Sequence, residues 1–327
     1  SRDEQHPNNR GFDLFYGMKA GGRDYFYNEK KSDRPGDERN LLLNDRQVKF
    51  EKYLTDAFSE KAVEFINESS QPFMMYLAYN AVHTPMQATD EDMAKFEGHP
   101  RQKLAAMTYA LDRGVGTVIR GLKDSGKFDN TLIFFLSDNG GATTNQSSNY
   151  PLKGFKGNKF EGGHRVPYFV VWKNGIPAGK PYDGLVSSLD IFATAIDAAS
   201  ISKTRNRLDG VSLLPYLKGK KGEPHKVLYW RKMDTRAIRS GDYKLIITHG
   251  VDSVLYNIRR DPEEMNNLIN KEPDLYRKLA KKLAKWEKNE CIEPSWLEEG
   301  WRKITNRYHQ QLMHNEIKTA QDLYKKK

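Results

Sequence analysis

Apolar positions along the chain first recur at helical spacing around Thr55 to Glu68, where Leu54, Ala57, Phe58, Ala62, Phe65 and Ile66 share one face and Thr55 is placed as the cap. Pro72 interrupts that pattern. Phe73-Met74-Met75-Tyr76-Leu77-Ala78-Tyr79 then forms a continuous apolar run, which predicts a strand buried on both faces. A second helix is marked by Leu104, Met107, Leu111, Val115, Val118, Ile119 and Leu122 and is expected to stop at Gly126. The run from Thr131 to Leu136 is another apolar strand, and it ends abruptly at Ser137-Asp138-Asn139-Gly140-Gly141. A third, from Val166 to Trp172, precedes a short helix around Leu189 to Ala199. Helices alternating with buried strands predict an α/β class with a mostly parallel sheet flanked by helices.

After about Gly219 the pattern changes. Short apolar runs at Val227 to Trp230, Thr235 to Arg239, Tyr243 to Thr248 and Val254 to Ile258 are separated by little more than turns such as Ser240-Gly241-Asp242, so an antiparallel meander is expected. A basic amphipathic helix from about Pro273 to Asn289 can pack on it through Leu275, Leu279, Leu283 and Trp286. The expected organisation is therefore a larger catalytic-type domain over 1–217 and a smaller C-terminal subdomain, antiparallel sheet plus helix, over 218–327. No internal repeat is visible.

Composition narrows the classes. With 38% hydrophobic and 11% aromatic residues the 327-residue chain is globular, which excludes low-complexity disorder and collagen-like sequence. No apolar stretch reaches the roughly 20 residues needed to span a bilayer, so no membrane span is expected. The single cysteine, Cys291, excludes an internal disulfide and reads as structural. Ser1-Arg2-Asp3-Glu4-Gln5-His6-Pro7 has neither an initiator Met nor a signal-peptide layout, and reads as the interior of a longer polypeptide. A net charge of +10 favours anionic partners, although Lys runs such as Lys325-Lys326-Lys327 also fit a solvated surface. Nucleic acid ranks last, because no basic motif interleaved with aromatics accompanies the charge.

Three polar clusters follow or precede apolar strands, where ligands gather in open α/β sheets. Asn80-Ala81-Val82-His83-Thr84-Pro85 follows the Phe73 run, and His83 is either a functional or an ordinary capping histidine. In Ser137-Asp138-Asn139-Gly140-Gly141 a carboxylate and an amide oxygen stand side by side, as suits a hard divalent cation; a plain Asx turn would use the same residues. Two oxygens are too few for calcium, so further ligands must come from elsewhere. In the stretch from Pro151 to Pro167, Lys153, Lys156 and Lys159 are interleaved with glycines and can bring ammonium groups onto a tetrahedral oxyanion.

Asn9-Arg10-Gly11-Phe12-Asp13-Leu14-Phe15-Tyr16-Gly17, the HTP at 83–85, the SDNGG at 137–141 and the LKGFKGNKFEGGHRVP at 152–167 occur in an order and at separations that resemble the type I sulfatases. The late Leu255-Tyr256-Asn257, Asp261-Pro262 and Glu263 extend the likeness over nearly the whole chain. The resemblance implies an alkaline-phosphatase-like fold and hydrolysis of a sulfate ester by a formylglycine nucleophile beside a calcium ion. It makes Asp138 and Asn139 metal ligands. Lys156 would contact the sulfate, with Lys153 as its neighbour, and His83 would bind the sulfate and protonate the leaving alcohol. Arg23 and Asp24 are candidate substrate contacts. A sulfated carbohydrate is the implied substrate, and family members are commonly periplasmic or extracellular.

The family's C/S-x-P-x-R nucleophile motif, its preceding Asp-Asp pair and its GKWHLG-like segment do not occur in this sequence, and Cys291-Ile292-Glu293-Pro294 does not replace them. The expectation is therefore the C-terminal two thirds of a sulfatase, with an N-terminal chain of the same enzyme as a partner. The alternatives are an inactive glycan-binding fragment or subunit, and a related phosphoester hydrolase.

Overall fold

The computed structural model describes residues 3–27, 37–201, 207–291 and 299–325. They fall into two compact units, Ser1–Asp129 and Asn130–Lys327.

The first unit is built on helices α1 (Leu54–Glu68), α2 (Asp90–Ala94) and α3 (Gln102–Asp124). Three two-residue strands, β1 (Tyr16–Gly17), β2 (Leu42–Leu43) and β3 (Arg46–Gln47), form an antiparallel ribbon beside them. Leu54 and Phe58 of α1 meet Met107 and Ala110 of α3 in a core that also buries Tyr25, Leu41, Phe50 and Tyr53. Arg113 on α3 bridges the other two helices, reaching Asp92 on α2 at 2.5 Å and Asp56 on α1 at 3.0 Å. The expected cap is displaced: α1 begins at Leu54 after Tyr53, which makes no side-chain cap bond, and Thr55 lies fully buried inside the first turn. The expected stop of α3 holds. Gly126 takes φ +71° and Lys127 N–H returns to Leu122 C=O at 2.8 Å, the left-handed closure that glycine permits.

The run from Phe73 to Tyr79 differs from its expectation. It is extended but has no ladder partner among the described residues, and its side chains alternate: Phe73, Met75, Leu77 and Tyr79 are half-buried, while Met74 and Tyr76 are 65% and 77% exposed. One face packs on the unit's own core, through Leu77 and Tyr79.

In the second unit, β4 (Ile133–Leu136) pairs with β5 (Tyr168–Val171) in antiparallel register, Leu136 opposite Tyr168. Between them lies the short helix α4 (Glu161–His164), and after them α5 (Asp190–Ala198) and α6 (Leu214–Leu217). The meander forms as expected: β6 (Val227–Lys232), β7 (Thr235–Ser240), β8 (Tyr243–Thr248) and β9 (Asp252–Asn257) make one antiparallel sheet in chain order. Period-two alternation gives this sheet two apolar faces. Ile238, Leu245 and Leu255 pack on Leu279 and Leu283 of α7 (Pro273–Glu290), with Trp286 stacked on Tyr229 at 4.9 Å. Ala237, Ile246, Val254 and Tyr256 face the other way, onto Phe155, Phe160 and residues Leu312 and Met313 of α8 (Glu299–Met313). A last turn, α9 (Asp322–Lys325), follows. The hydrophobic pattern does not announce α8, because it buries polar Thr305 and His309 beside its apolar residues.

Two outcomes follow from this packing. Leu283 is 1% exposed between α7 and the sheet, so Leu283→Ala should cost about 2–4 kcal/mol in urea unfolding, and a loss under 1 kcal/mol would contradict the packing. His309 is fully buried, donates Nδ1–H to Thr305 C=O at 2.8 Å, and is held down to about 4 by burial, with Lys159 and Lys232 adding to the effect. Between its unfolded value near 6.5 and about 4 the unfolded chain binds a proton that the folded one refuses, so this residue withdraws stability as pH falls through that window. Relative to wild type, His309→Gln should gain about 2 kcal/mol on going from pH 7 to pH 5 in denaturant unfolding; parallel pH curves would exclude the assignment.

Candidate active site

Strand β4 delivers Ser137-Asp138-Asn139 into a turn that is kept open at its tip. Asp138 is exposed, Asn139 Nδ2 donates to Asp138 Oδ1, and Ser137 Oγ donates to Asn139 C=O at 2.8 Å. The turn is not free-standing. Gly140 N–H donates to Gly163 C=O at 3.1 Å, and the approach is so close that a Cβ on Gly140 would lie 1.8 Å from the Gly162 carbonyl oxygen. Only glycine fits there, because the two backbones are in contact. Asn149 latches the next residue, accepting Gly141 N–H at 2.8 Å and donating to Gly141 C=O at 3.2 Å and to Gly154 C=O at 3.0 Å. Lys156 N–H donates to Gly141 C=O at 3.0 Å. The Asp138-Asn139 turn and the Lys156 loop are thus one hydrogen-bonded body, with the Lys156 side chain exposed.

Beneath this body lies a buried charged cluster. Lys244 on β8 is fully buried and reaches Glu161 at 2.8 Å and Glu264 at 2.9 Å. Glu264 also accepts Glu161 N–H at 2.6 Å. Arg165 and Arg239 approach the second Glu161 oxygen at 3.6 Å each. Although burial opposes it, the attraction of Lys244 and Arg239 holds the Glu161 carboxyl at about 2. Burial and the neighbouring Glu161 push Glu264 the other way, up to about 7. Burial keeps His164 well below the usual imidazole range, and its ring packs on Trp230 at 4.6 Å.

Lys153, expected as a substrate contact, belongs to this foundation instead. It is fully buried and donates Nζ–H to Glu264 C=O at 2.9 Å and to Asn315 Oδ1 at 2.5 Å, lying over the rings of Phe160 and Tyr256. Burial lowers its ammonium to about 8. None of Glu161, Lys244 and Glu264 stands out as a site residue in the sequence. The only signal was Glu161 in the FEGG stretch, because its partners come from strands and turns about a hundred residues later.

In the first unit, His83 lies on the exposed loop after the Phe73 run. Its backbone is held on both sides: His83 N–H donates to Asn80 C=O at 2.8 Å, and Tyr25 Oη donates to His83 C=O at 2.9 Å. Nδ1 lies 2.8 Å from Thr84 C=O, where it can only donate, which leaves Nε2 as the working nitrogen. Arg23 is 7% exposed, donates to Arg39 C=O at 2.9 Å and sits 4.5 Å over the Phe50 ring, so it serves the core of that unit. Asp24 accepts Gln87 Nε2–H at 3.0 Å.

The metal fit is partial. Asp138 and the Asn139 side chain supply adjacent hard oxygens, the donor chemistry calcium takes, but calcium needs six to eight. Among the described residues no group of three His, Cys, Asp or Glu side chains converges on one point.

Comparison with known proteins places these loops in context. The family model described as "Sulfatase" matches residues 1–201, and the one described as "N-sulphoglucosamine sulphohydrolase, C-terminal" matches 156–289, so the Lys156 loop is covered by both. An uncharacterized sulfatase of Escherichia coli, YdeN, is 38% identical over 240 residues, which cover 70% of this chain and 41% of that protein. Mouse arylsulfatase J is 28% identical over 350 residues, covering 88% of this chain and 58% of the relative. The chain thus spans about half the length of the curated relatives it matches. Among solved structures, Ps i-CgsB in complex with k-i-k-neocarrahexaose superimposes with a TM-score of 0.84 at 35% identity, over 94% of this chain and 73% of that one. The fold is the alkaline-phosphatase-like α/β fold of those neighbours, with a C-terminal antiparallel sheet. On this agreement of fold, motif order and sequence, the chain belongs to the sulfatase family.

Proposed function

We propose that the protein to which these residues belong is a sulfuric ester hydrolase that removes sulfate from a sulfated carbohydrate, with its formylglycine nucleophile carried by sequence other than these 327 residues. The observation that carries the reading is the joining of the Asp138-Asn139 turn to the Lys156 loop, through Lys156 N–H to Gly141 C=O at 3.0 Å and Gly140 N–H to Gly163 C=O at 3.1 Å. An oxygen pair and an ammonium group held on one rigid body suit a reaction in which negative charge grows on sulfate oxygens. The carbohydrate reading is supported by relatives: an N-acetylgalactosamine-6-sulfatase of dog is 29% identical over 258 residues, and Ps i-CgsB was solved with a neocarrahexaose.

In this reading Asp138 Oδ and Asn139 Oδ1 hold part of a Ca2+ site, and the remaining oxygens come from elsewhere in the protein. When bound, that cation supplies Lewis-acid charge to the ester and nucleophile oxygens. The Lys156 ammonium donates to the sulfate oxygens. His83, its Nδ1–H fixed on the Thr84 carbonyl, delivers a proton from Nε2 to the departing alcohol oxygen. Lys153 acts from below, by fixing the loop that carries Lys156. Periplasmic or extracellular placement accords with a polysaccharide substrate, and no described helix is long and apolar enough to cross a membrane.

In the full-length protein, Asp138→Ala should lower sulfate release from an aryl sulfate at least 100-fold and abolish the rise in melting temperature that Ca2+ gives the wild type. Unchanged turnover, or an intact calcium-dependent shift, would refute the metal assignment. Lys156→Met should reduce kcat/KM by about 10²–10³ while leaving the calcium shift in place. Faster cleavage of a phosphate ester than of the matching sulfate ester would replace sulfatase with phosphoester hydrolase.

A further inference from the structure

Three lysines crowd the loop at 156–159, and only one of them has a role so far. Lys232, the last residue of β6, reaches into this loop from the C-terminal sheet: its Nζ lies 2.9 Å from where a Cβ on Gly157 would stand. Gly157, at φ +96°, lets the backbone turn there and leaves room for the ammonium. Lys159 is two residues further along and partly buried. No hydrogen bond or ion pair joins the side chain of Lys159 or Lys232 to another described residue. The nearby carboxylates are already taken: Glu161 and Glu264 share Lys244 at 2.8 and 2.9 Å, and Arg165 and Arg239 complete Glu161 at 3.6 Å.

Burial and the charges of Lys232 and Lys244 push Lys159 down to about 8, and burial together with Lys156 lowers Lys232. Both ammonium groups also bear on His309, which is kept neutral. Partly desolvated cations that repel each other and have no counter-charge are costly to keep, and an anion seated among them removes that cost. A Gly/Lys-rich loop that gathers ammonium groups suits a tetrahedral oxyanion.

We propose that Lys159 and Lys232 form a second anion subsite beside Lys156, one that takes a sulfate of the glycan other than the one being cleaved. The inference rests on the sulfatase reading for its substrate and on the lysine geometry for its place. It makes the protein selective for carbohydrates bearing two sulfates close together. A single sulfate bound through Lys156 leaves the subsite without its anion, whereas a disulfated unit fills both positions. Lys232 gives the C-terminal sheet a direct part in substrate choice.

The test uses the full-length protein and two probes, a disulfated oligosaccharide and its monosulfated counterpart. Binding is followed by the shift in melting temperature and turnover by sulfate release. The Lys159→Gln/Lys232→Gln double variant should raise the half-saturating concentration, and KM, for the disulfated probe about tenfold, and at least fivefold more than for the monosulfated one. Lys232→Arg should recover most of this loss in the single-site background. An equal penalty on the two probes, or none, overturns the subsite. If the glutamine variants fail to fold, the wild type still decides: its affinity for the disulfated probe must fall more steeply with added salt than for the monosulfated one, and equal slopes overturn the proposal. A wild type that binds the disulfated probe preferentially through these lysines yet cleaves no sulfate ester would sink the sulfatase reading and keep the subsite. One that cleaves both probes without this lysine-dependent preference would do the reverse.

Discussion

The second unit depends on one buried ammonium group. Lys244, fully enclosed in β8, is shared by Glu161 at the start of α4 and Glu264 in the turn after β9. Removing either carboxylate would leave charge stranded in the interior, at a cost of several kcal/mol. The arrangement demands further accommodation around it. Glu264 stands at φ +55°, a left-handed backbone that few non-glycine residues adopt, and is held there by Glu161 N–H and by Lys153 on its own carbonyl. The Asp138-Asn139 turn and the Lys156 loop are positioned by contact with this foundation and have little freedom apart from it.

Much of this was legible, and the residues show which part. The meander and α7 were readable because their apolar residues keep the periods of two and 3.6 that a surface sheet and a surface helix require, as Ile238, Leu245, Leu279 and Leu283 do. The Asp138 turn and the Lys156 loop were readable because their residue types are adjacent in sequence. The place of Lys153 is not legible for the same reason: a lysine among glycines reads as solvated, and nothing local reveals the Glu264 carbonyl and Asn315 side chain that receive it. The place of Arg23 is hidden likewise, because its acceptor Arg39 and its ring partner Phe50 lie outside any local pattern. Thr55 carries the right chemistry for a cap but falls one residue inside the helix, where burial outweighs capping preference.

The apolar runs show a different gap between sequence and structure. The residues from Phe73 to Tyr79 are apolar throughout, yet Met74 and Tyr76 are exposed. In the second unit Phe135 of β4 and Phe169 and Val171 of β5 are exposed in the same alternating way. Strands that meet solvent on one side normally carry polar residues there. These carry aromatic and aliphatic ones, so the sequence encodes strands covered on both faces while the described residues cover one. The relatives, of which the matched part of this chain covers 41% and 49%, are longer and are consistent with a fuller sheet around such strands.

Charge is where location matters more than total. A balance of +10 describes a basic protein without saying where an anion binds. What distinguishes Lys156, Lys159 and Lys232 is where their backbones are held. Their backbones are held by Gly141, by the Phe155–Asn158 turn and by the β6–β7 ladder, and the Lys232 ammonium lies against Gly157. Solvated cations are screened by mobile counter-ions, whereas partly desolvated cations keep their field until a ligand of opposite charge arrives. Lys244 and Lys153 belong to neither class, because their partners are internal. The same residue type therefore serves as foundation at Lys153 and Lys244 and, among the described residues, stands without an ion-pair partner at Lys159 and Lys232, and the backbone that holds each lysine decides which.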